Sequence, residues 1–124
     1  MTISEAIVRT DSLKPNAYGN TEKIEWLSRL DGMVKRLIID KHEGSEDVIF
    51  SGYDVDTDTD TQLLVSAPFD DIYLRWLEAQ IDYANAEYRK YNNTIMQFNS
   101  AYEAFAGYYT RTHMPVAEGK RFIF

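Results

Sequence analysis

Hydrophobic positions along the chain fall into two long periodic stretches, with an aperiodic segment between them. Over residues 20–41, Ile24, Leu27, Leu30, Val34, Leu37 and Ile38 recur every three or four residues, which places them on one helical face. Trp26, Met33 and Ile39 widen that face. Asn20 or Thr21 is the expected N-cap, with Glu22 in the electropositive first turn. Gly32 interrupts the pattern at about 1 kcal/mol against Ala, explained either by a close neighbour or by tolerance.

The second stretch covers residues 70–112. Leu74, Leu77, Ile81, Ala84, Tyr88, Tyr91, Ile95, Phe98, Tyr102, Phe105 and Tyr109 keep a 3-4 alternation throughout. As one helix this stripe runs about 50 Å. Tyr73, Trp76 and Tyr83 broaden its first half, and Asp70 is the natural N-cap after Ala67-Pro68-Phe69. Asn92-Asn93-Thr94 are weak helix formers and mark the place for a kink. The period continues across them, so a single long helix is expected.

The remaining segments lack helical period. Residues 1–19 read as an N-terminal arm, with the turn-rich run Leu13-Lys14-Pro15-Asn16-Ala17-Tyr18-Gly19 at its end. Residues 43–69 read as an acidic, β-like loop or hairpin, with Val48-Ile49-Phe50 and Leu63-Leu64-Val65 as its short β-type runs. Residues 113–124 form a tail after His113-Met114-Pro115. The expected fold is mainly all-α: two principal helices, the second very long, a short β-like piece between them, and extended termini.

Composition narrows the function classes. With 124 residues there is room for one domain. Hydrophobic residues at 44% and aromatics at 14% suffice for a core. Twenty acidic side chains against 13 basic ones give a net charge of −7, which disfavours an electrostatic nucleic-acid binder. Cysteine is absent, so disulfides, thiolate metal sites and cysteine nucleophiles are excluded. No targeting segment and no spanning run are recognised. Asn92-Asn93-Thr94 matches a glycosylation sequon by chance.

Candidate chemistry is sparse. Asp54, Asp56, Asp58 and Asp60 alternate with other residues as in a calcium loop. An EF-hand starting at Asp54 needs Gly and Glu where Thr59 and Val65 stand, and starting at Asp56 it meets Thr61 and Ala67. A solvated acidic loop is the simpler reading. His42 and His113 each close a helix and lack a second ligand at helical spacing. No nucleophile–base pair or phosphate loop is present, so neither an enzyme nor a cofactor is expected. The tyrosines of the stripe, with Phe98 and Phe105, suit either an internal core or a subunit interface. Arg121, Phe122, Ile123 and Phe124 close the chain with apolar bulk, which either folds back or docks on another chain.

Leu13-Lys14-Pro15-Asn16, Trp26-Leu27-Ser28-Arg29-Leu30-Asp31-Gly32 and Phe50-Ser51-Gly52-Tyr53 follow one another in order. Leu63-Leu64-Val65-Ser66-Ala67-Pro68-Phe69-Asp70-Asp71-Ile72-Tyr73, Ala79-Gln80-Ile81-Asp82-Tyr83, Arg89-Lys90-Tyr91-Asn92-Asn93 and Arg111-Thr112-His113-Met114-Pro115 complete the series. In order and texture, over residues 12–115, the chain resembles the small head–tail connector (adaptor) proteins of long-tailed bacteriophages. The resemblance implies a non-enzymatic virion protein, assembled in the host cytoplasm as a cyclic homo-oligomer, commonly of twelve copies. Its implied partners are the portal and the next connector or tail protein, with DNA only passing through and no membrane. It also implies that Arg121, Phe122, Ile123 and Phe124 reach the portal. The run of Asp54, Asp56, Asp58 and Asp60 would suit a channel wall that repels phosphates. The competing reading is a small helical interaction or regulatory module acting as monomer or dimer.

Overall fold

The computed structural model describes residues 1–116. Among them are four α-helices: α1 (Ile3–Leu13), α2 (Asn20–Leu37), α3 (Ile72–Ala84) and α4 (Tyr88–Thr112). The chain is mainly helical, as expected, but the arrangement differs from the two-helix reading in four places.

The expected arm is a helix. Thr2 caps α1: its side-chain oxygen accepts from the Glu5 N–H at 3.1 Å, and the Glu5 carboxylate accepts from the Thr2 N–H at 3.1 Å. This capping box satisfies two donors that a bare helix start leaves unpaired. Ile3, Ala6, Ile7 and Thr10 then point inward. The N-terminal carbonyl-seeking groups of α1 find the acidic loop: Ile3 N–H donates to Thr61 O at 3.1 Å and Ser4 N–H to Thr59 O at 2.9 Å.

The first expected helix ends earlier. α2 starts after Gly19, not after an Asn20 or Thr21 cap, and stops at Leu37. A 3-10 turn, Ile39–Lys41, follows, and His42 places its Nδ1 2.6 Å from the Ile38 carbonyl oxygen. The imidazole thus closes the helix end.

The expected β-like hairpin contains no strand among the described residues; two isolated bridges, Thr2 with Gln62 and His42 with Pro115, are the extent of β pairing. Residues 48–71 instead form a long irregular segment that buries Leu63 and Val65 in the core.

The expected long helix is two. Asn85, Ala86 and Glu87 turn the chain, with Ala86 in the left-handed region at φ 58°. Tyr83 meets Tyr88 and Tyr91, Trp76 meets Phe98, and Phe69 meets Phe105. Those pairs step away from the turn in both directions, so α3 and α4 form an antiparallel helical hairpin. No break occurs at Asn92-Asn93, which lie inside α4. The N-cap of α3 is Asp71, not Asp70, and no side chain caps it.

Helix α3 is the centre: α1, α2 and α4 all pack on it. Ile3 and Ile7 of α1, Leu27, Leu30 and Val34 of α2, Ile72, Tyr73 and Leu77 of α3, and Phe98 and Phe105 of α4 share one core with Leu63 and Val65. Each such side chain contributes about 1.5–3 kcal/mol by leaving water.

Candidate functional site

No group of three or more His, Asp or Glu side chains among the described residues is placed to hold a metal ion. No helix among them is long and apolar enough to cross a membrane.

The irregular segment is held in place by a buried carboxylate. Asp31, fully buried in α2, accepts the Tyr53 hydroxyl at 2.5 Å, the Tyr73 hydroxyl at 2.6 Å and the Leu64 N–H at 3.0 Å. The Tyr73 oxygen in turn accepts the Val65 N–H at 2.7 Å. Burial pushes the Asp31 carboxyl above the usual carboxylate range, and the three donors offset this only in part. Burial beside that carboxylate also raises both tyrosines. A second tie joins the segment to α2, where Tyr53 N–H donates to Ser28 Oγ at 2.9 Å, beside Gly52 at φ +95°. The sequence reading missed this hub. Its signal was an acidic residue, Asp31, between Leu30 and Val34 on the apolar face of α2.

Between these anchors the four aspartates stand in solvent. Asp54 Oδ1 accepts the Asp56 N–H at 2.9 Å, and Asp58 Oδ1 accepts the Asp60 N–H at 2.9 Å. Two Asx turns therefore shape the exposed run. None of the four carboxylates joins an ion pair among the described residues.

Comparison of the chain with protein-family models, curated proteins and solved structures finds no match. The aromatic stripe divides by depth. Phe98 and Phe105 are core; Tyr102 and Tyr109 are half-buried against it; Tyr91 is half-buried beside Tyr83; Tyr88 is 57% exposed. The Tyr102 hydroxyl is buried without a partner, and burial raises its pKa. Of the other stripe positions, Leu77 and Ile81 are buried, while Leu74 and Ile95 are half-buried. His42 sits edge-on to Tyr109, and His113 stacks flat on the same ring at 3.7 Å between centroids. Both histidines are thus packed at helix C-termini. Arg121, Phe122, Ile123 and Phe124 lie outside the described residues.

The turn-rich run before α2 is strapped by charge. Lys14 Nζ bonds Asp82, which is buried in α3, at 2.5 Å, and Thr94 Oγ1 donates to the same carboxylate at 3.1 Å. Buried Lys23 donates to the Tyr18 carbonyl at 2.7 Å and pairs with Asp11 at 2.8 Å.

Apolar side chains stay uncovered on α1, α3 and α4. Val8 and Leu13 of α1 are 63% and 66% exposed and line an open recess with Leu74 of α3. Met96, at 66%, stands on α4, with Tyr83 and Tyr88 exposed at the α3–α4 turn.

Proposed function

We propose that this protein is a structural virion component: a head–tail connector whose copies form a ring on the portal and join the DNA-filled head to the tail. The observation that carries the reading is the pair of exposed apolar surfaces on different elements of one small domain. A ring is built from heterologous contacts, in which each copy presents one surface to its left neighbour and a different one to its right. The recess of Val8, Leu13 and Leu74 and the contacting, exposed pair Tyr83 and Tyr88 supply two such surfaces. The resemblance of residues 12–115 to connector proteins supports the same reading, as does a charge balance that leaves DNA ungripped.

In this role Phe122, Ile123 and Phe124 anchor the ring to the portal. Light scattering behind size exclusion tests it, on the full chain alone and mixed with its cognate portal. A large cyclic species, or a portal complex lost when the chain is ended at Gly119, is the expected result. A monomer or dimer that ignores the portal would instead favour the small interaction module.

A further inference from the structure

Along the C-terminal half of α2 lies an open groove of about 690 Å³. It is lined by Met33, Leu37 and Phe50 and by Arg29, Lys35 and Arg36, against the single carboxylate of Asp40. Lys35 is spent on Asp40 and the Ser45 carbonyl. Arg29 is shared with exposed Glu25 at 3.3 Å, and Arg36 is exposed with no ion pair among the described residues. The lining is therefore part apolar and part cationic.

The acidic loop has the opposite character. Its four carboxylates are exposed and unpaired among the described residues, and Val55, 62% exposed, stands among them. Within one copy the loop faces the wrong end of α2. Asp54 and Val55 line a recess with Thr21 and Glu25, so the nearest charged wall is another carboxylate. Arg36 lies about 22 Å further along the helix than Thr21.

We infer that the α2 groove seats the acidic loop of a second copy of this chain. Val55 packs on Met33 and Leu37, and the aspartates meet Arg36 and Arg29. Where the copies follow one another in the same sense, this contact is head-to-tail and leaves a free loop and a free groove at the ends of any open chain of copies. The loop becomes a contact between neighbours in place of the channel wall that its charge alone suggested. This rests on the connector reading and adds which surfaces fix the register, the apolar surfaces supplying area.

Sedimentation of the full chain over a concentration series tests it. The groove variant carries Arg29→Glu and Arg36→Glu; the loop variant carries Asp56→Lys and Asp58→Lys. All four positions are exposed, and circular dichroism checks that each variant keeps its helices. Each is expected to weaken self-association about tenfold or more. Mixing the two variants is expected to restore association, because the sound loop of one meets the sound groove of the other and the reversed loop and groove are again opposite in charge. Combining all four substitutions in one chain is expected to restore association in part. Association of the parent should weaken at about 1 M salt, where the Debye length falls to about 3 Å. If the parent assembles and both variants assemble equally well, the inference is overturned and the connector reading stands. A parent that stays monomeric at every concentration and on the portal overturns both.

Discussion

Tyr73 of α3 donates its hydroxyl proton to Asp31 of α2 at 2.6 Å, with both side chains fully buried. This bond joins two helices and, through the Val65 and Leu64 N–H groups, fixes the end of the irregular segment between them. Replacing Asp31 by Ala removes the acceptor for Tyr53, Tyr73 and Leu64 together. A loss of about 3–5 kcal/mol is expected in urea unfolding.

Asp31→Asn keeps the shape but turns one acceptor into a donor facing Tyr73. A loss of about 1–3 kcal/mol is expected at neutral pH. The pH dependence gives the sharper check. Because burial raises the folded-state pKa of Asp31, its protonated form is favoured in the native protein. Its contribution is therefore fully present below the ordinary carboxylate value and is lost as pH rises through the raised one. The stability gap between parent and Asp31→Asn should narrow as pH climbs from about 4 towards neutral. A gap that widens would contradict the assignment. Asp11 acts in the opposite sense: burial raises it, but bonds from Lys23 and Asn16 outweigh this and hold it low. Its stabilisation is present above the ordinary value and fades on acidification, in parent and variant alike.

Lys14 reaches across to the buried Asp82. Lys14→Met leaves that carboxylate with Thr94 as its remaining side-chain donor, and a loss of about 2–4 kcal/mol is expected. Thermal melts of the single variant and of Lys14→Met with Asp82→Asn separate the causes: the second substitution should recover part of the loss.

Ala86 holds a positive φ of 58° in the turn between α3 and α4. A left-handed conformation costs a residue with a Cβ about 1–2 kcal/mol, and glycine's extra freedom in the unfolded chain gives back part of the gain. Ala86→Gly should therefore raise stability by about 0.5–1 kcal/mol, read as a higher urea midpoint. The stripe from Leu74 to Tyr109 could not show this turn. Two antiparallel helices that bury facing stripes against each other repeat the same 3-4 spacing as one continuous helix, and the turn residues Asn85, Ala86 and Glu87 include neither Gly nor Pro. The apolar faces were legible; their continuity was not. The arm failed for a different reason. Thr2 and Glu5 spell a capping box before Ile3, Ala6, Ile7 and Thr10, but the stripe is short and Thr10 is polar. Residues 43–69 alternate enough to look like strands, yet their backbone partners are the start of α1 and the carboxylate of Asp31, which local pattern cannot reveal. The four aspartates are exposed in the single chain, whereas the groove of Arg29 and Arg36 exists only once Phe50 folds onto α2.

Gly32 lies in mid-α2, where an added Cβ would meet Phe50 at 3.7 Å, an ordinary contact. The residue is tolerated, not required. Gly32→Ala should stabilise the protein by about 0.5–1 kcal/mol in the same unfolding assay.

The most direct test of the connector role is native mass spectrometry of the cognate portal ring mixed with this protein. The expected spectrum shows a mass increment of one copy per portal subunit, with no partly loaded rings at excess protein. A portal whose mass is unchanged, beside free monomer or dimer, would contradict it.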